Sequence, residues 1–194
     1  AAADGIEWGE LALGGTGEGW RTRLVLVRLD PTRLCLALDT AFTPEGRAAW
    51  SLDRVPGEAR FAVNAGQFLL SLPWGWVVLD GDQFLAPGSG SPVTTIVIDS
   101  GGRVHWRHAS ASEPRRSPDP RWAFQSYPTL LVDRTVPSPL RAGGGGVDVT
   151  HRDARAAIGR LSDGRLIVAP TRFDALGEGL GFVPFGLPVP EEGG

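Results

Sequence analysis

Thr94-Thr95-Ile96-Val97-Ile98, Asp99-Ser100-Gly101-Gly102 and Arg103-Val104-His105-Trp106 follow one another without a break, and they decide the fold class. The first block is β-branched throughout, which suits a pleated strand. The second is a cluster of turn formers. The third resumes an apolar and aromatic pattern, so the stretch predicts a hairpin. The same order recurs where Leu161 leads into Ser162-Asp163-Gly164-Arg165 and Leu166-Ile167-Val168 resumes. Short apolar runs at Leu24–Val27, Leu34–Leu38, Phe61–Val63, Trp76–Leu79 and Thr129–Val132 read as further strands. One helix is expected. Thr43-Pro44-Glu45 has an N-cap residue followed by Pro at the first helical position, and the helix should run to about Leu52. Residues 86–92, 110–120 and 137–146 read as loops, the last carrying Gly143 to Gly146. The expectation is one β-rich α+β domain over residues 1–194, with a mixed sheet and few helices.

Bulk properties narrow the function classes. A chain of 194 residues, 42% hydrophobic and 21% charged, is long enough for a real core and has the composition of a globular domain. A net charge of -3 lacks the basic surplus of a nucleic-acid binder, so no nucleic-acid partner is expected. No apolar run reaches the ~20 residues of a membrane span, and no signal peptide is visible. The start at Ala1-Ala2-Ala3-Asp4, without Met, fits a trimmed mature form. A single cysteine, Cys35, excludes an internal disulfide; its alternation with leucines predicts a buried apolar role.

All nineteen basic residues are Arg. The absence of Lys removes the phosphate-loop lysine and Schiff-base chemistry, pyridoxal cofactors included. A cationic contact to an anion must then come from Arg, whose planar fork can hold two oxygens, or weakly from His. Gly14-Gly15-Thr16-Gly17-Glu18-Gly19 lacks the ending of a phosphate loop, and Gly177-Glu178-Gly179-Leu180-Gly181 lacks dinucleotide spacing. No Gly-x-Ser-x-Gly elbow occurs. His105 and His108 stand three apart on an expected strand and so face opposite ways, which argues against a shared metal. Neither a metal nor a cofactor is expected.

What remains is a set of polar residues at strand ends, where binding groups are common. Asn64-Ala65-Gly66-Gln67 follows Phe61-Ala62-Val63, and Asp80-Gly81 closes the Trp76–Leu79 run. Gln125-Ser126-Tyr127-Pro128 precedes Thr129–Asp133, Arg155 stands before Ala156-Ala157-Ile158-Gly159, and Thr171-Arg172-Phe173-Asp174 follows Leu166–Pro170. Asn-x-Gly and Asp-Gly are also ordinary turns, and Arg155 also suits a structural ion pair.

Taken in order, these motifs resemble the phosphodiester glycosidase family. Phe61-Ala62-Val63-Asn64-Ala65-Gly66-Gln67-Phe68 looks like its Asn-Gly/Ala-Gly-Phe/Tyr-Phe signature, and Pro73 to Gly81 is similar to its Asp-Gly strand. Ala123 to Asp133 resembles its Pro-x-Leu strand, and Arg152 to Phe173 its Arg-x-Ala-Ile-Gly hairpin. The likeness spans about residues 61–190. Two departures stand out. Arg134 follows Asp133 where the family often has Gly, and the chain stops at Gly194 before the family's final helix and Asp-Gly-Gly motif. The resemblance thus implies a missing C-terminal segment and with it part of the site.

The resemblance further implies a hydrolase that cleaves a sugar-1-phosphodiester between anomeric carbon and phosphate, in a secreted, periplasmic or cell-envelope setting. Arg155 and Arg172 are then the candidates for phosphate, and Asp80 or Asp133 for carboxylate work on the sugar. Asn64 and Gln67 would bond sugar hydroxyls, while Gly66 and Gly159 would allow close backbone approach. Asp80, Asp133 and Arg155 are thus the catalytic candidates and Asn64, Gly66, Gln67, Gly159 and Arg172 the substrate-binding ones. The partner is a carbohydrate phosphodiester or cell-surface glycan. The competing expectation is a relative that binds glycan without cleaving it, with Trp74 or Trp76 stacking on sugar.

Overall fold

The computed structural model describes residues 2–12, 22–39, 42–43, 46–47, 55–69, 72–88, 93–109, 119–141 and 155–173. The chain divides into two compact units: residues 1–35 with 142–194, and residues 36–141. Each is built on its own five-stranded antiparallel sheet.

The first unit holds β1 (Ala2–Ala3), β2 (Ile6–Ala12), β3 (Thr22–Leu29), β13 (Ala156–Arg160) and β14 (Leu166–Phe173), in the order β1-β2-β3-β14-β13. Alternation sets its buried face. Val27 and Leu29 are buried, and their ladder partners Val168 and Leu166 are buried with them; Ile6, opposite Leu29, joins the same row. On the other face Arg28 pairs with Glu7. The ladder between β14 and β3 pairs at Leu166–Val168 and Thr171–Phe173 but lapses at Ala169 and Pro170, where proline has no N–H to give. The β13–β14 hairpin closes through Leu161 N donating to Arg165 O at 2.8 Å and Gly164 N to Leu161 O at 3.0 Å, with Gly164 at φ +86°.

The second unit holds β8 (Val77–Leu79), β9 (Asp82–Leu85), β10 (Val93–Asp99), β11 (Val104–Ala109) and β12 (Pro120–Ser126), in the order β11-β10-β12-β8-β9. All seven residues of β10 are buried, as expected of an inner strand covered on both faces. Trp76, Val78, Val97 and Ala123 form its core cluster. The hairpins β4 (Phe42–Thr43) with β5 (Gly46–Arg47) and β6 (Gln67–Leu69) with β7 (Leu72–Trp74) stand apart from this sheet, and α1 is the four-residue Ser138–Arg141. No helix among the described residues is long and apolar enough to cross a membrane.

The hairpins predicted over Thr94–Trp106 and around the Leu161–Val168 turn are present as β10–β11 and β13–β14. Several other expectations are corrected. The fold is mostly β rather than α+β: fourteen strands accompany one short helix among the described residues. Its named ladders are all antiparallel, not mixed, since parallel pairing needs long crossover connections and the strands here are joined mainly as hairpins. The helix expected from Thr43 gives way to strand pairing of Phe42 with Arg47 and Thr43 with Gly46. A glycine three positions after the cap costs a helix about 1 kcal/mol, and Thr-Pro-x-Gly serves a tight hairpin as readily. Residues 48–52 lie outside the described residues.

Leu34–Leu38, Phe61–Val63 and Leu130–Leu131 carry strand-like composition but pair with nothing as strands. Along Leu34–Asp39 exposure still alternates, which puts Cys35 on the exposed side rather than in the core. The pattern is that of an extended chain lacking a ladder partner, and the boundary between the two units falls directly after Cys35.

Candidate functional site

Strand β12 begins Pro120-Arg121-Trp122-Ala123-Phe124 and then carries Gln125, buried at 3% exposure. A buried amide must find partners, and this one finds three. Its Oε1 accepts from Trp76 N and from Gly88 N, both at 2.8 Å, and its Nε2 donates to Thr95 Oγ1 at 3.2 Å. Two glycines make room around it. Gly75 has φ +88°, and a Cβ there would sit 2.8 Å from Gln125 Oε1, so the position admits only glycine. Gly66 has φ +77°, and a Cβ there would meet the Gln125 carbonyl oxygen at 3.3 Å. The Asn64–Gly66 loop, the Trp74-Gly75-Trp76 segment and the end of β12 therefore meet at one residue.

Around this point the chain is densely tied. Asn64 is exposed, and Gln67 opens β6 opposite Trp74. Trp74 meets Tyr127 edge-on at 6.4 Å between ring centroids, and the Tyr127–Pro128 peptide is cis. Beyond it Thr129, buried at 5%, brings its Oγ1 within 2.7 Å of Thr94 Oγ1, and Thr94 Oγ1 lies 3.2 Å from His108 Nδ1. Ser126, Thr94 and His108 lie in one row across β12, β10 and β11. Of the two tryptophans expected to stack on sugar, Trp76 is core at 6% exposure, while Trp74 stays half-buried.

Asp80 lies at the other end of the same sheet. It occupies a two-residue turn with Gly81 between Leu79 and Asp82, at φ 48° and 91°, the geometry favoured by Asp-Gly hairpins. Its side chain is 74% exposed and pairs with Arg121 Nε at 3.3 Å; the Arg121 guanidinium in turn lies 4.2 Å above the Trp122 ring. Asp133 stands with Arg134 in a tight turn closed by Val132 and Thr135, which exchange hydrogen bonds at 2.9 Å. Both turn residues are exposed and have positive φ, 49° and 64°. No hydrogen bond among the described residues joins either aspartate to the Gln125 cluster.

Arg155, Gly159 and Arg172 belong to the first unit. Arg155 and Thr171 are tied through the backbone: Arg155 N donates to Thr171 Oγ1 at 2.7 Å, and Thr171 N donates to Arg155 O at 2.7 Å. Arg172 is the next residue along β14 and pairs with Arg23 on β3, one position beyond the Arg155–Thr171 contact, a step at which successive strand residues alternate faces. Gly159 pairs with Ile167, whose Cγ2 a Cβ would approach to 3.3 Å. The eight candidates thus form two sets. Asn64, Gly66, Gln67, Asp80 and Asp133 belong to one unit, and Arg155, Gly159 and Arg172 to the other.

The perturbed carboxyls lie in turns. His105 beside Asp99, with the Arg103 backbone N–H, holds that carboxyl below its ordinary value. Arg165 does the same for Asp163, and Thr32 for Asp30. These acids brace turns in ionised form. His105 bonds Asp99 and His108 bonds Thr94, at opposite ends of β10. Among the described residues no three His, Cys, Asp or Glu are grouped to hold a metal.

Thr94, Thr129 and His108 escaped the sequence reading as site residues, and Gln125 was singled out at a strand end without a role. The signal for Gln125 was present: an amide next to Trp122-Ala123-Phe124 in a strand has to be buried and bonded. The threonines carried none, because their contact depends on where the chain goes after Pro128.

No family model, no curated protein and no solved structure matches this chain.

Proposed function

We propose that the protein hydrolyses sugar-1-phosphodiesters, releasing a free sugar and a phosphate monoester. The observation that carries the reading is the convergence at Gln125. Asn64–Gly66, Gly75 and the Gln125–Pro128 segment come from three motifs of the resemblance, and they meet at one end of one sheet. Such a meeting is what motifs serving one pocket would produce. In the reaction water adds at the anomeric carbon, and the bond from that carbon to the phosphate oxygen breaks. The site has to bind the anionic phosphate and steady positive charge on the ring. Arg155 and Arg172, which the resemblance implies for the phosphate, belong to the other unit and are left out of this site. Asn64 and Gln67 are assigned the sugar. Asp133 is preferred to Asp80 as the carboxylate, because Asp80 sits at the far end of the sheet in a pair with Arg121.

The test is incubation with an N-acetylglucosamine-1-phosphodiester, following free sugar and phosphate monoester. Turnover is expected, and Asp133→Asn should lower it by about 10- to 100-fold, the worth of one charge-assisted contact in the transition state. Arg160→Lys, on an exposed position of the other unit, should leave it unchanged. No turnover and no binding would overturn the reading. Saturable binding without cleavage would move the protein to the glycan-binding alternative.

A further inference from the structure

Thr94 and Thr129 are both buried, at 7% and 5% exposure, and each carries one hydroxyl proton that needs an acceptor. Their oxygens lie 2.7 Å apart, so one donates to the other. If Thr94 donated to Thr129, the Thr129 proton would have no acceptor among the described residues. If Thr129 donates to Thr94, the Thr94 proton is free for His108 Nδ1 at 3.2 Å, and both buried protons are used. The second order satisfies the whole chain, and it fixes the neutral imidazole as the tautomer with its proton on Nε2. His108 itself is exposed, so that N–H is presented to solvent by a side chain anchored in the core.

We propose that His108 is a phosphate-binding residue, its Nε2–H donating to a non-bridging oxygen of the sugar-1-phosphodiester, with Thr94 and Thr129 as the residues that position it. The proposal rests on the functional reading above for the identity of the ligand. The row Ser126, Thr94, His108 spans two inter-strand steps, ~10 Å, from the end of β12 that receives the Gly66 loop. One sugar phosphate can cover that distance. With no Lys in the chain, an imidazole N–H is one donor that can supplement Arg.

The experiment is nitrogen-15 NMR of the histidine side chains in the full chain, in the wild type, Thr94→Val and Thr94→Ser. The wild type should show His108 with its proton on Nε2. Thr94→Val, close in shape but without the hydroxyl, should give a tautomer mixture, and Thr94→Ser should restore the wild-type signature. His105, bonded to Asp99, is the internal reference and should not move. Adding N-acetylglucosamine 1-phosphate should shift the His108 Nε2 signal, and N-acetylglucosamine alone should not. An unchanged tautomer in Thr94→Val overturns the relay, and an equal response to the unphosphorylated sugar overturns the phosphate contact. If the probe moves the Gly66 amide but not His108, the proposal falls while the functional reading stands. If it moves neither, both fall.

Discussion

Replacing Gln125 with Leu tests whether the site is organised from one buried amide. Leu is close in volume but can accept nothing. Two backbone donors, Trp76 N and Gly88 N, would lose the acceptor they share at 2.8 Å. Trp76 is buried at 6% exposure, so its N–H bears the cost of an unmade bond, about 1–3 kcal/mol. Gly88 is only half-buried, and water can replace part of its loss. Thr95 also loses its bond to Nε2 at 3.2 Å. The sum is about 3 kcal/mol after allowing for the added apolar contact. At about 2–4 °C per kcal/mol for a chain of this size, Tm should fall by roughly 6–12 °C. Thermal unfolding followed by tryptophan fluorescence measures that drop, and hydrogen exchange locates it: the Trp76 and Gly88 amides should lose protection while Val97, in the middle of β10, keeps most of its own. A Tm within about 2 °C of wild type, or a uniform loss of protection, would refute the view that Gln125 ties these segments together.

Three further outcomes follow from the same geometry. Arg134→Gly should stabilise by about 0.5–1 kcal/mol in denaturant unfolding, because Arg134 sits at φ 64°, where a side chain costs about 1–2 kcal/mol and glycine returns part of that as chain entropy. Gly75→Ala should unfold far more readily than Gly57→Ala: the first places a Cβ 2.8 Å from Gln125 Oε1 at φ +88°, whereas a Cβ at Gly57 meets nothing within 4 Å. The Asp99 carboxyl is held below its ordinary value in the folded state by His105 and the Arg103 N–H. It therefore adds stability above the unfolded pKa of about 4, and that increment is lost as pH falls through the lower folded value. Asp99→Asn should flatten this acid limb in urea melts taken between pH 2 and pH 5, ranges in which the wild type keeps changing.

The sequence was readable where structure is local. The β10–β11 and β13–β14 hairpins are each closed by four or five residues with strong turn chemistry, so strand, turn and return are all visible within one window. It was unreadable where a segment's state depends on a distant partner. Leu34–Leu38 and Trp122–Phe124 look alike as apolar runs, yet only the second becomes a strand, because β10 on one side and β8 on the other offer it ladders. Gln125 shows the same limit within the site: its partners Trp76 and Gly88 lie 49 and 37 positions away. Thr43 shows the converse, where a local signal had two physical solutions and the pairing with Gly46 selected the hairpin.

Arg134 joins the two kinds of reading. As sequence it was a departure from a motif that often places Gly after Asp, and composition could not say whether the departure bore on function or on the chain alone. The backbone supplies the reason. Asp133 and Arg134 both adopt positive φ inside the turn closed by Val132 and Thr135, a conformation that Asp tolerates and that otherwise favours glycine. Turn geometry alone therefore favours Gly at this position, and the Arg stands there at an energetic cost. If the cost is local, Arg134→Gly should raise stability and leave ligand binding untouched. A loss of binding on that change would instead give the arginine a role at the site. The turn that fixes Asp133 in place would then also be the one that holds a cation beside it.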